Sequence, residues 1–582
     1  MDKRKYSLGL RKMVLVVLAL VSAYVSAVPV VRHRAQVQLV DGRTVWATIV
    51  GDEHHSWWQT DDGVVVQERT DGLFELTARS SSDERRLAQT RRATALQSSP
   101  RRVGSQASAP LPAMGSPKVP VVLVNFTDSV FTVGSTDDEI RRYYDLYCNG
   151  TRDGQPYREH GSYGSIRDYF SDQSDGQFTP EFVIIGPVTL DNPEFYYGAN
   201  SSTGKDVRYS QFRTDAVRKA TDVYEGSWSD FDNRGRSTAS QTYVDMVFFI
   251  FAGCGENSSY IENTLWPKES SSGVTINGIR FATSACCSER RAITKNRKMI
   301  GTESDGIGVM CHELSHALGL PDLYDTSYKA FGMDLWSLMD YGCYGQNGFR
   351  PCAYTAYERE FMGWKQIPEL TSWQSLTLQP IAAGGTGYRI VNDENPDEYY
   401  IIENRQEVGW DGGICQMGHG LQVTHVDYDA VAWNRNAVNT DSIHQRMTII
   451  AANNRYIGTS RLDATPDEFI ITWGGNLYPY IYTDADGNEC RNDALTSATT
   501  PAATVFSKSG FMNKDLHAIT EHADQSVTLY FGNDYDPTVG IAAPELTKAD
   551  VTPLYDLAGR RRDAAQLPAG IYIRDGRKLL VR

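Results

Sequence analysis

No stretch of the 582 residues is apolar for long enough to cross a bilayer: the longest run, residues 13–25, falls short of the roughly 20 residues that a spanning helix requires. A soluble mature chain is predicted. Cysteine is scarce and missing from the first 147 residues, so no thiol from that region can mask a metal. The nine that follow (Cys148, Cys254, Cys286, Cys287, Cys311, Cys343, Cys352, Cys415 and Cys490) are odd in number, which leaves at least one unpaired. Cys311 is the expected buried thiol, and Cys343 and Cys352 are spaced to close a loop. Positive charge is in deficit as well. Residues 1–117 carry 16 Lys and Arg against 11 Asp and Glu, whereas the other 465 carry 41 against 61. So acidic a body excludes nucleic acid as the partner and suits an exported protein, with calcium as a candidate cofactor. Internal repeats are absent too.

What is present centres on His312-Glu313-Leu314-Ser315-His316-Ala317-Leu318-Gly319-Leu320-Pro321-Asp322. On a helix, His312 and His316 lie one turn apart on one face, so two imidazoles meet one ion without any chain closure. Glu313 is rotated just off that face, missing the metal while reaching a water on it. Ile307, Met310, Cys311, Leu314 and Leu318 form the buried stripe of this helix, and Ser304 or Asp305 is its expected cap. Gly319 ends the helix in a left-handed turn, and Pro321 prevents its resumption. Asp322, six residues beyond His316, is thereby placed to give an oxygen as third ligand, with Asp325 as the neighbouring alternative. Such a donor set implies zinc. Ser337-Leu338-Met339-Asp340-Tyr341 resembles the methionine turn of the metzincin peptidases. That resemblance puts Met339 beneath the metal and lets Tyr341 reach the zinc or a developing oxyanion; the plain alternative is two core residues of a loop.

Along the chain, Lys3, Arg4, Lys5, Arg11 and Lys12 precede the short apolar run, and Val25-Ser26-Ala27 offers small residues for cleavage, which reads as a signal peptide over 1–27. Residues 28–117 read as a small β-rich leader with a linker. From residue 80 to 114 Ser, Ala, Pro and Arg dominate, and Arg85-Arg86, Arg91-Arg92 and Arg101-Arg102 are expected to be exposed in a flexible segment open to proteolysis. A removable propeptide is the functional reading. Residues 119–126 and 246–252 are continuous apolar runs that predict buried strands, with helices starting near residue 163 and over 354–361, inside a unit spanning 118–372. Short alternating segments between Gly, Asn and Asp over 373–536 predict a β-sandwich. Within it His425 and Asp427 share a strand face, as a hydrogen-bonded pair or a second metal site. Asp484-Ala485-Asp486-Gly487-Asn488-Glu489 is an acidic turn that could hold calcium.

Residues 119–128, 162–178 and 232–252, the zinc motif running into Pro321-Asp322-Leu323-Tyr324-Asp325, and Tyr357-Glu358-Arg359 before Gly363-Trp364 together resemble the immune inhibitor A family of secreted bacterial metallopeptidases. Downstream, Glu403-Asn404-Arg405-Gln406, Gly420-Leu421-Gln422-Val423-Thr424-His425-Val426-Asp427 and Asn439-Thr440-Asp441 continue the resemblance. Two places depart from it: Asp232-Asn233-Arg234-Gly235-Arg236 puts arginines where the family often has an acidic, calcium-like loop, and Lys268 stands where many relatives have histidine. The fold implied is α+β: a metzincin-like zinc peptidase domain, then a β-sandwich-like domain, with an N-terminal propeptide. Residues 537–582 resemble the C-terminal sorting region of type IX secretion substrates, which implies secretion machinery as a partner.

The activity implied is zinc endopeptidase acting on protein or peptide substrates, secreted or at the cell surface. Zinc held by His312, His316 and Asp322 would activate a bound water, Glu313 would move its proton, and Tyr341 would help the oxyanion. The rival is a secreted adhesin with a purely structural zinc, which would have no use for Glu313.

Overall fold

The computed structural model describes residues 25–537 except 27, 32, 70, 98–103, 152–156, 203, 296–297, 327–328, 459–465 and 485, together with 554–556, 561–562, 570–574 and 577–581. The signal-peptide expectation, apart from Val25 and Ser26, and the Arg101-Arg102 pair lie outside the described residues. In the 537–582 segment, Leu554–Asp556, Arg561–Arg562, Gly570–Arg574 and Arg577–Val581 pair into one antiparallel sheet.

Two uninterrupted apolar runs become the centre of the main sheet. Lys118–Asn125 and Thr242–Cys254 lie side by side in parallel, buried on both faces, which is why their sequences do not alternate. Glu181–Thr189 and Ile279–Lys295 flank them, also in parallel. The pleat then divides the side chains. Val119, Val121, Leu123, Phe248 and Ile250 share a core with Ile166, Tyr169, Phe170 and the zinc-motif helix. Val122, Val124, Phe249 and Phe251 face the other way, onto Phe212, Ala216 and Val217 of the helix Tyr209–Val223. Mixed helix and strand were expected and are found. Beyond Ile279–Lys295 the sheet ends in the short antiparallel strand Lys268–Ser270. Val25–Ser26 adds to that edge, again antiparallel.

Residues 34–80 form a five-stranded antiparallel meander. The flexible, exposed linker expected after it does not exist over 81–97. A helix, Ser81–Gln97, occupies that stretch. Its Ala, Leu, Gln and Arg are good helix formers, and Ser80 and Asp83 cap its start reciprocally. Arg92 is buried, pairing with Asp52 at 2.8 Å and donating to the Tyr324 hydroxyl at 2.8 Å. A composition typical of a hinge therefore builds a strut.

Downstream, a four-stranded and a three-stranded antiparallel sheet share one core through Ile402, Val423, Leu376 and Leu529. The largest core does not stop at residue 372, since Met339 and Tyr354 pack in the same cluster as Ile401, Trp410 and Val426. Arg405 fastens this junction from within. Fully buried, it holds Asp411 through two bonds of 2.7 Å, Glu403 at 3.1 Å and the Trp336 carbonyl at 3.1 Å. Arg405→Met strands two buried carboxylates and is expected to cost about 3–5 kcal/mol, read as a lowered denaturation midpoint. All nine cysteines are free thiols, Cys311 buried as expected; Cys343 and Cys352 are both buried and not bridged.

Candidate active site

The helix Gly308–Ala317 carries both histidines. Neither Ser304 nor Asp305 caps it. Ser304 ends the strand Lys298–Ser304, and the Asp305 carboxylate is taken by Gly306 N–H and the Ser288 hydroxyl. The helix start is pressed against the turns that follow Met339: a Cβ at Gly308 would lie 1.8 Å from the Cys343 carbonyl oxygen. Gly319 (φ +108°) makes the expected left-handed exit, and Leu320 N–H closes the end on Ser315 O at 3.1 Å.

Each imidazole is oriented by a backbone carbonyl. His312 Nδ1 lies 2.8 Å from Leu338 O, in the turn that carries Met339, and His316 Nδ1 lies 2.8 Å from Leu320 O. A carbonyl only accepts, so both Nδ1 atoms carry the proton and both Nε2 atoms present lone pairs. Those atoms are 3.0 Å apart, and Asp322 Oδ1 stands 3.4 and 3.2 Å from them. Three electron-rich atoms facing one another without exposure to solvent repel, and a cation between them turns repulsion into coordination. The donor set, two imidazoles and a carboxylate, fits zinc. Burial pushes the Asp322 carboxyl up, but His316 and His312 outweigh it and hold it well below the usual range. Burial pushes the His316 imidazole below its usual range, in the direction of the neutral form that ligates.

Asn436 completes this arrangement and was not foreseen. Its side chain accepts from Asp322 N–H at 2.6 Å and donates to Asp322 Oδ2, aiming Oδ1 at the histidines. Asn439, part of the resembling motif, likewise holds Leu323 O at 2.7 Å. Asn436→Ala is expected to weaken zinc binding by about 10–100-fold in a chelator-competition titration, as loss of an outer-shell partner does.

Glu313 is fully buried beside the ligands. Burial, then the carboxylates of Asp322 and Glu53, push it well above the usual carboxylate range. Its Oε1 accepts from Val28 N–H at 3.1 Å, while Oε2 has no hydrogen-bond partner among the described residues. Met339 is buried, with its carbonyl accepting from Leu323 N–H at 2.8 Å. The Tyr341 hydroxyl donates to Val30 O at 3.3 Å, so it meets the leader strand. Asp325 is not brought to the cluster, because its carboxylate accepts from Lys329 and Ala330 N–H.

His425 and Asp427 are not partners of each other. His425 pairs with Glu398 at 2.9 Å and Asp427 with His444 at 2.6 Å and Arg446 at 2.8 Å. Asp484 accepts from Asp486 and Asn488 N–H of its own turn. Among the described residues, one group of three or more His, Cys, Asp or Glu converges, namely His312, His316 and Asp322. In the 232–236 loop, Arg234 donates to Pro110 O and Leu111 O and Arg236 stands 3.8 Å from Asp245, so guanidinium groups clip this loop. Lys268 pairs with Asp206 in the interior.

A parallel sheet with an antiparallel edge, and below it a helix delivering two imidazoles and a glutamate to an aspartate, define a metallopeptidase. Residues 113–367 match the family described as immune inhibitor A peptidase M6, catalytic domain. Over these residues the chain is similar to the immune inhibitor A family of metallopeptidases. Immune inhibitor A of Bacillus thuringiensis subsp. alesti is 25% identical over 233 residues, 35% of this chain and 34% of that one. Pre-pro-metalloprotease PrtV of Vibrio cholerae serotype O1 (strain M66-2) is 22% identical over 287 residues, 42% of this chain and 29% of that one. The chain thus spans about a third of the length of the curated relatives it matches.

Proposed function

We propose that this protein is an exported zinc endopeptidase, made as a latent precursor, that hydrolyses peptide bonds in proteins. The observation that carries the reading is the convergence of His312, His316 and Asp322 with Glu313 beside them, its carboxylate already holding a backbone N–H. Zinc, when bound, would supply a Lewis acid for the peptide carbonyl and lower the pKa of a water toward about 7. Glu313 takes the proton of the attacking water and delivers it to the leaving amine, a role favoured by surroundings that raise its proton affinity. Once the leader has left, the Tyr341 hydroxyl is assigned to the developing oxyanion, a contribution of about 3–4 kcal/mol for a well-placed donor.

Latency is the second part of the proposal. Residues 28–117 are the propeptide and its linker, and the leader covers the centre by steric means without a thiol. The metzincin-like arrangement of the catalytic domain, the β-sandwich-like packing over 373–536 and a sorting role for 537–582 belong to the same reading. A basic and then apolar amino end, together with the Vibrio relative's description as a pre-pro-metalloprotease, supports export and leader removal. No described helix is long and apolar enough to cross a membrane.

The test starts from the precursor beginning at Val28, nicked after the leader helix and freed of the leader. Its cleavage of a denatured protein is expected to vanish with a chelator and return with zinc. Chelator-resistant cleavage, or none under any condition, contradicts the reading.

A further inference from the structure

An extended stretch of the leader threads the catalytic centre, and its main chain is held at every step. Val28 N–H sits on Glu313 Oε1 at 3.1 Å, and Trp266 Nε1 donates to Val28 O at 3.2 Å. Tyr344 donates to Pro29 O at 2.7 Å and Tyr341 to Val30 O at 3.3 Å. Val31 N–H donates to Asn257 O at 2.8 Å, and Tyr260 donates to Val31 O at 3.0 Å. Val28, Pro29 and Val30 are buried. Just upstream, Val25–Ser26 pairs with the edge strand Lys268–Ser270. Main-chain bonds to a sheet edge and to fixed donors are how a protein grips an extended peptide.

The register of this stretch is informative. A peptidase glutamate must reach the nitrogen of the bond being cut in order to protonate the leaving amine. Here the nitrogen on Glu313 is that of residue 28. The residues before it, Val25-Ser26-Ala27, are the small residues at which the sequence predicts cleavage on export. Hydrolysis of the 27–28 bond by the export machinery's peptidase consumes one water and leaves a carboxylate on residue 27 and an ammonium group on Val28.

We propose that residues 28–31 fill the product side of the substrate track, and that the α-ammonium created at Val28 locks onto Glu313 as the latch of the precursor. The proposal rests on the peptidase reading above. An ammonium group brings three donors where the amide had one, and a charge-assisted bond is roughly twice as strong as a neutral one. Glu313 Oε2, buried and without a hydrogen-bond partner among the described residues, is an acceptor for a second of those donors. The carboxylate that should take a proton from water is then engaged by the chain's own amino end. Trp266 and Tyr344 become substrate-binding residues, holding the two carbonyls on the leaving side of the cut.

Three near-complete forms test this: one beginning at Val28, one retaining Ser26 and Ala27 ahead of it, and one beginning at Arg34 with the leader sheet intact. The Arg34 form is expected to cleave a denatured protein at least tenfold faster than the Val28 form, with the Ser26 form between them. In the metal-free Val28 form, the α-amine is expected to be acetylated at least tenfold more slowly than after denaturation. A Val-Pro-Val-Val peptide with a free amino end is expected to inhibit leader-free enzyme at least tenfold better than its acetylated counterpart. An Arg34 form as latent as the Val28 form, beside an active leader-free enzyme, would overturn the proposal and make the loop at residues 52–55 the latch. Acetylation at the denatured rate would overturn it too. Leader-free material that stays inactive with zinc while the amine remains protected breaks the peptidase reading and leaves the docked amino end standing.

Discussion

Glu313→Ala is expected to retain about one zinc per chain and to lose at least roughly a thousandfold in peptidase rate. The separation follows from geometry. The converging ligand atoms belong to His312, His316 and Asp322, so removing the neighbouring carboxylate leaves the donor set complete. Alanine preserves the helix and empties a site where a buried carboxylate is strained by Asp322 and Glu53, so the fold is not expected to suffer. What is lost is the carrier that takes a proton from water and gives it to the amine. Metal content and turnover on leader-free protein measure both halves, and near-normal turnover with zinc in place would remove Glu313 from its assigned role.

Asp322→Ala, in contrast, is expected to lose the metal. Without this carboxylate, two imidazole lone pairs 3.0 Å apart remain, and the Asn436 amide loses the oxygen it donates to while still accepting from the residue 322 N–H. The loss of affinity should exceed the about 10–100-fold expected for Asn436→Ala, which removes only a ligand's support. Asp325→Ala is the control. Its carboxylate is spent on two backbone N–H groups of its own loop, so zinc binding is expected to survive while that loop loosens. If Asp325→Ala loses zinc and Asp322→Ala keeps it, the third ligand has been misassigned.

The site was legible in the sequence where its geometry is local. Two histidines one helical turn apart and a glycine–proline exit fix their own placement, and His312, His316 and Asp322 converge at this helix and its exit. The two buried strands were legible because double burial removes alternation. What could not be read depends on partners far along the chain. Asn436 reaches Asp322 across 114 positions, and no local pattern marks it. Arg92 looked like half of a cleavage signal because its partners, Asp52 and Tyr324, come from other elements. His425 and Asp427 do share a strand face, but each takes its partner from elsewhere, Glu398 on the adjacent strand and His444 on a following loop. A Val-Pro-Val-Val stretch carries no sign of where it will lie. Only the docked backbone brings it to Glu313.

The metal centre itself can be tested in one diffraction experiment at the zinc absorption edge on crystals of the zinc-loaded protein. A single strong anomalous peak is expected about 2.0–2.2 Å from His312 Nε2, His316 Nε2 and an oxygen of Asp322. A peak that omits Asp322, or zinc found only at His425 or on the surface, would contradict the account.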